Sequence, residues 1–276
     1  MSRMSEGPGA RFLKHAYLWV MLALVFMPFY VMLVVSFKSN AQFYNQTWLP
    51  TWPLHFGNWV VGWNTVGVHI ANSVFLAVTT TVLTLAVAII AAYVFGRYKV
   101  PLGDLFWMAL LLLMLMPGVA NLIPLFNLMK RLNMLNSLIG LSIVSAAGGQ
   151  VLCLYVLRNF IEDMPKEFFE CARIDGASHF QQVMHVVVPQ CGGIISTLAI
   201  LNFVSTWNSF ILPLITLRDP ELLPLAVGLY HLQGAYVKEW GPLMAAYFIS
   251  AIPLVVLFAF TMRFFIRGVG EGAIKG

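Results

Sequence analysis

Charge is the scarcest thing in this chain. Asp, Glu, Lys and Arg make up 10% of its 276 residues, where a soluble domain carries ~25%. Three long stretches, 105–129, 191–216 and 243–262, contain no Asp, Glu, Lys, Arg or His. Proton-driven carriers keep such residues in the membrane as a relay, so these stretches argue against that mechanism. The pattern G-x-x-x-x-G-K-[ST] is absent, which excludes ATP bound on a phosphate loop of this chain; the glycine-rich tail Gly268–Gly276 is far from that pattern. No Ser-His pair or group of carboxylates converges as a membrane-embedded enzyme would need, and no internal repeat is visible. Cys153, Cys171 and Cys191 form no C-x-x-C pair and read as free thiols. His179 and His185 stand six apart on different helix faces, so no metal site is expected. Nothing in the net charge of +5 suggests nucleic acid.

Apolar surface is what the chain has in excess: 60% of residues are hydrophobic and the mean hydropathy is +0.82. A bilayer core needs about 20 apolar residues per helix. Six segments supply them, at about 16–36, 69–95, 105–129, 137–158, 191–216 and 243–265. The runs are long and do not alternate, which predicts helices and not a barrel. The first follows Arg3, Arg11 and Lys14, as a signal peptide would, but it is too long for such a segment and lacks a small-residue cleavage site. Basic residues set the orientation. With the N-terminus inside, 11 fall on the inner side and 5 on the outer. Both termini and the loop 158–189 are therefore expected in the cytoplasm. Trp48, Trp52, Trp59 and Trp63 lie in the first outer segment, where they read as headgroup anchors.

The few charges are concentrated. Arg158, Glu162, Asp163, Lys166, Glu167, Glu170, Arg173 and Asp175 fall within 18 positions. Pro165 suits a helix start, and Glu167 in the first turn complements the helix dipole. Gly176 after Asp175 offers the left-handed conformation that ends a helix. Ser178 with Gln181 three residues on reads as a capping box opening a second helix. In it Phe180, Val183, Met184 and Val187 should share one face until Pro189. The expected product is two short helices joined by a sharp turn, held outside the membrane and shaped to press against another protein.

These residues resemble the cytoplasmic EAA loop of ABC-transporter permease subunits. Glu170-Cys171-Ala172 stands for E-A-A, with Cys171 a mild departure; Ile174-Asp175-Gly176-Ala177-Ser178 is the turn, and Pro189 the following proline. In that family the loop forms a coupling helix that docks into a groove on the ATP-hydrolysing subunit. The resemblance thus implies a coupling role for Glu167, Glu170, Cys171, Ala172, Asp175, Gly176, Ala177, Ser178 and Pro189. It implies no cofactor in this chain, since ATP and magnesium would sit in the partner ATPase, and no catalysis of its own.

The rest of the chain is similar to carbohydrate-type permeases of the maltose-permease group. Asn72-Ser73, Pro117, Pro124, Ser205-Thr206-Trp207-Asn208, Pro253, Arg267-Gly268 and the ending Gly272-Ala273-Ile274-Lys275-Gly276 carry that likeness. It implies an all-α integral membrane protein with six transmembrane helices in the type-I importer permease fold. Residues 1–15 would be a cytoplasmic N-terminus, 16–36 the first span and 37–68 an outer segment. Residues 69–265 would be the five-span core with the EAA loop at 158–189, and 266–276 a cytoplasmic tail. The implied partners are a second homologous permease, two ATP-binding cassette subunits, an extracytoplasmic solute-binding protein and the lipid of a bacterial or archaeal cytoplasmic membrane. A sugar or oligosaccharide is the expected cargo; a polyol, glycerol phosphate or a secondary carrier mechanism are the alternatives. Asn202, Ser205, Thr206, Asn208 and Ser209 place amides and hydroxyls along the fifth span, where they suit a neutral polyol or hydrogen bonds between helices. Pro117, Pro124 and Pro253 are expected to kink helices. The last outer loop, Leu217–Pro242, is long enough to suggest a binding-protein contact.

Overall fold

The computed structural model describes residues 8–116, 118–233 and 239–273. Among them every regular element is helical. In chain order these are α1 (Pro8–Ser36), α2 (Asn40–Asn45), α3 (Gly57–Arg97), α4 (Gly103–Leu115), α5 (Leu122–Arg131), α6 (Leu138–Glu162) and α7 (Lys166–Ile174). There follow α8 (His179–Gln182), a π-helical turn Val183–Val187, α9 (Val188–Gln190), α10 (Gly192–Trp207), α11 (Ile211–Thr216), α12 (Leu225–Gln233) and α13 (Trp240–Ala273).

Of these, α1, α3, α6 and the first part of α13 are each long and apolar enough to cross a membrane. The six expected segments are not six unbroken helices. Segment 105–129 is divided into α4, a 3₁₀ turn Gly118–Asn121 and α5, and segment 191–216 into α10 and α11. At 13 residues α4 spans about 20 Å, short of a ~30 Å hydrocarbon core. Pro124 occupies the first turn of α5, where proline fits without a kink. Pro253 lies inside α13, as expected, and Pro117 lies outside the described residues.

Three helices overrun the expected boundaries: α1 begins at Pro8, ahead of 16, and α3 and α13 also run long, α3 for a visible reason. Helix α3 begins at Gly57, well ahead of 69, and its 41 residues reach about 60 Å. Asn58 near its start donates to the carbonyls of Ser36 and Lys38 at 2.9 Å each, and Trp59 Nε1 donates to Ser36 Oγ. These bonds anchor the early turns that apolar counting passes over. Helix α13 likewise runs on to Ala273, past the expected boundary at 265; Ile274 to Gly276 lie outside the described residues.

The chain packs as two compact units. One is the residues up to Gly67 with His231–Ile252; the other is Val68–Tyr230 with the residues from Pro253 on. In the second, Leu85, Ala88 and Ala92 of α3 meet Cys153, Leu154, Leu157 and Ile161 of α6, together with Phe169, Val183, Val187 and Leu198. A second cluster joins Leu76, Leu141, Leu217, Leu223 and Val227. The segment after α11 is thus no loose loop. Asn72 Nδ2 donates to the carbonyls of Glu221 and Leu223 at 2.7 and 3.2 Å, and Ser73 Oγ accepts from the Leu225 amide at 2.8 Å. That is the structural work of Asn72-Ser73.

Candidate functional site

The polar island folds into an elbow. Pro165 precedes α7 with extended backbone (φ −54°, ψ 135°), and Glu167 sits exposed in its first turn. At the other end Gly176 has φ +77°, the left-handed conformation. Its amide donates to Arg173 O at 3.1 Å, and the Ala177 amide to Ala172 O at 2.9 Å. This pair is the Schellman arrangement, which caps two orphan carbonyls with backbone alone. Ser178 then opens α8: its hydroxyl accepts from the Gln181 amide at 3.4 Å, while its own amide donates to Gln181 Oε1 at 2.8 Å. The expected capping box is present.

Past α8 the expected single apolar face divides. Pro189 has no N–H for the carbonyl one turn back, and the ladder widens ahead of it so that the Val188 amide bonds Val183 O. Val183 and Val187 are buried, whereas Phe180 and Met184 are exposed. The helix also passes Pro189 and ends at Gln190, beyond which α10 departs at 83°.

The elbow is held from beneath by two contacts with α3, and a third contact joins α6 to α4 beside it. Phe169 of α7 is buried, with the Arg97 guanidinium 3.9 Å from its ring centre. Arg158 lies 4.5 Å over the Trp107 ring and pairs with Glu162 at 3.0 Å. The Tyr93 hydroxyl donates to Gln182 Oε1 at 2.9 Å and lies 3.1 Å from both the Tyr98 hydroxyl and His179 Nδ1. Gln182 in turn donates to Ala177 O at 3.0 Å. Sequence reasoning missed Arg97, Tyr93 and Tyr98, because nothing local links a residue of α3 to a partner more than 70 positions on.

Above that base the elbow faces outward. Glu167, Glu170, Cys171, Asp175, Gly176, Ser178 and Pro189 are exposed, and Ala172 and Ala177 half-buried. Ile174 at the tip is 86% exposed. Phe168, Cys171, Ala172, Asp175, Gly176 and Ala177 of the first arm and turn face Gln181, His185 and Val186 of the second across a cleft of about 430 Å³. The result is a concave surface with an apolar tip and a rim of mixed charge, Lys166 and Arg173 being exposed beside Glu167, Glu170 and Asp175.

The residues expected along the fifth span do not share one side. Thr206 is buried and donates to Asn202 Oδ1 at 3.4 Å; the Asn202 Nδ2, also buried, meets no protein acceptor. A Cβ on Gly149 of α6 would come within 3.0 Å of that nitrogen and 3.2 Å of Thr84 Oγ1, so Asn202 faces a seam between α3 and α6. Ser205 and Asn208 are exposed, the latter donating to Val204 O at 2.9 Å. Ser209 is half-buried just past the break, its amide on Thr206 O. Asn208 caps α10, so Ser209 lies beyond the helix that carries Asn202, Ser205 and Thr206.

Residues 84–271, which include the elbow and the helices around it, match the family model described as binding-protein-dependent transport system inner membrane component. The chain belongs to that family. A probable ABC transporter permease of Bacillus subtilis is 30% identical over 263 residues, covering 94% of this chain and 87% of that protein. The sulfoquinovosyl glycerol transport system permease of Agrobacterium fabrum is 28% identical over 280 residues, covering 100% and 97%. Among solved structures, a bacterial ABC transporter involved in import of the acidic polysaccharide alginate superposes with a TM-score of 0.81 at 21% identity, over 94% of this chain and 99% of that one. The chain thus has the permease fold of an ABC importer. It is a multi-pass membrane component of a transporter, in a family of transport components and not of enzymes.

Proposed function

We propose that this chain is the six-span permease subunit of an ATP-driven importer that moves a sugar or oligosaccharide handed over by a binding protein. The observation that carries the coupling role is the elbow: a turn capped at Gly176 and Ser178 and anchored by Phe169, that exposes Glu167, Glu170, Ile174 and Asp175. Its best-matched partner is the groove of an ATPase subunit with an apolar floor and basic or hydrogen-bonding rim. ATP and magnesium belong to that subunit. Six spans follow if α4 with α5 forms a broken third and α10 with α11 a broken fifth. The basic-residue bias supports cytoplasmic termini and a cytoplasmic elbow.

One elbow engages one ATPase, while alternating access needs two halves moving against each other. A heterodimer with a second homologous permease on two ATPase subunits satisfies both requirements. The saccharide cargoes in the names of the Agrobacterium relative and the alginate transporter support a sugar here. Asn202, whose unpartnered Nδ2 faces the seam at Gly149 and whose Oδ1 holds Thr206, is the pathway group most able to respond to a passing polyol.

Reconstituted uptake tests the coupling role. Gly176→Val strains the left-handed turn by ~1–2 kcal/mol or more, and Glu170→Lys reverses the charge on the rim. Both variants should insert and lose binding-protein-stimulated ATP hydrolysis and uptake together. Glu170→Lys should also fail to retain the ATPase in a pull-down. Normal coupled transport by both variants would remove the elbow from this role.

A further inference from the structure

The segment between α1 and α3 is a second built surface. After Ser36 the chain turns through α2 and then runs back along α1. The Tyr30 hydroxyl donates to Trp48 O at 3.0 Å. Tyr30 precedes the end of α1 by six residues, so the loop descends about 9 Å below the end of that helix. The apolar stretch of α1, Arg11–Ser36, is 26 residues and about 39 Å long, against ~30 Å of hydrocarbon. With the surplus of about 9 Å at the Ser36 end the Tyr30 level falls at the edge of the hydrocarbon, with it divided between both ends about 5 Å inside, and with it at the Arg11 end about 9 Å inside.

A loop at that depth must dispose of its carbonyls, since lipid offers no donors. Here the four carbonyls from Gln46 to Leu49 are each capped by a side chain, while Thr51 Oγ1 is buried without a partner. The Lys38 ammonium, itself buried, donates to the carbonyls of Gln46, Thr47 at 3.3 Å and Leu49 at 2.6 Å, which uses all three of its hydrogens. Tyr30 takes Trp48, and Gln42 Nε2 donates to Pro53 O at 3.1 Å. Pro50 and Pro53 have no N–H to satisfy. Residues 39–54 contain no Asp, Glu, Lys, Arg or His. The side chains facing outward are Trp48, Leu49 and Trp52, 54%, 57% and 82% exposed. They continue the exposed apolar surface of α1 formed by Phe26, Phe29, Tyr30 and Leu33.

We propose that Gln46–Pro53 is a re-entrant wedge seated in the lipid headgroup–acyl boundary, with Lys38 as its internal carbonyl cap and Trp48, Leu49 and Trp52 in contact with lipid. Its partner is the bilayer. The buried lysine is a structural element whose charge is spent inside the loop, and the tryptophans are aimed by it.

The test places a reporter on the wedge of the full chain in phosphatidylcholine–phosphatidylglycerol vesicles. Trp52→Cys in a Cys171→Ala background offers one exposed thiol, since Cys153 and Cys191 are buried. Labelled with an environment-sensitive fluorophore, it should be quenched by lipid carrying a nitroxide near the headgroup. It should be shielded several-fold from aqueous iodide relative to the same label at Ile174→Cys. Adding Lys38→Met should raise iodide quenching at residue 52 several-fold, and the milder Tyr30→Phe should raise it less. Equal iodide access at residues 52 and 174 would overturn the proposal. So would shielding that arises only when a second permease or the binding protein is added, since the occupant would then be a protein. Iodide access unmoved by Lys38→Met would remove the lysine from its role.

Discussion

Two segments of this chain turn between helices, and they satisfy their backbones in opposite ways. The elbow 165–190 does so locally: its Schellman bonds and capping box close over three to five residues, and its remaining groups are left to water. In the segment 37–56 a local capping box, Ser39 with Gln42, opens α2, but the stretch Gln46–Leu49 after it reaches further. Its carbonyls are capped by side chains 8, 9, 11 and 18 positions away. The difference follows from the surroundings each segment is fitted to. A turn in water may leave polar groups bare, whereas one against lipid must answer each from within the protein. Each device also aims something: the elbow presents carboxylates and Ile174, the wedge presents tryptophans.

The comparison is sharpest where one contact supports a whole segment. Phe169→Ala empties the pocket beneath the elbow, and a buried phenylalanine cut to alanine costs ~3–5 kcal/mol. The elbow should become susceptible to limited proteolysis between 165 and 190 while the wedge label stays shielded. Cleavage of both regions together would mean that they are not separately supported. Lys38→Met should cost a comparable amount, ~1–3 kcal/mol for each of its three carbonyls left buried without a donor. It should lower the thermal midpoint of the detergent-solubilised chain and leave elbow proteolysis unchanged. The smallest effect belongs to Tyr93→Phe, which removes one donor to Gln182 and should cost ~1 kcal/mol. Faster hydrogen exchange at Gln182 and Ala177 would register it, and unchanged exchange there would mean that the tyrosine does not hold the second arm.

How much of each segment was legible in the sequence follows the same division. Pro165, Gly176 and the Ser178–Gln181 pair announce their conformations through spacings of a few residues, and the structure has them as read. The apolar face running to Pro189 was misread because a helical wheel takes no account of a π turn. That turn arises where Pro189 withholds an N–H, and it separates Phe180 and Met184 from Val183 and Val187. Hydropathy found the apolar segments but not the breaks after Leu115 and at Asn208–Phe210, since composition there stays apolar while the ladder stops. The early start of α3 depends on Asn58 and Trp59 meeting Ser36 and Lys38 across more than 20 positions. Lys38 itself counted only as one outer charge. Burial holds its ammonium below the usual lysine range, and only the folded loop reveals that its hydrogens are already committed.

The central claim is that the elbow seats in an ATPase subunit on the cytoplasmic side, and the chain carries its own probe for it. Cys171 is exposed on α7, between Glu170 and Ala172 at the cleft, while the other two thiols are buried. A short thiol-to-amine cross-linker applied to the assembled transporter should join this chain to the ATPase subunit through Cys171. The product should vanish in Cys171→Ala, and Cys171 should resist a membrane-impermeant maleimide in intact cells. A Cys171 that reacts from outside, or that cross-links only to the binding protein or to nothing, would contradict the account.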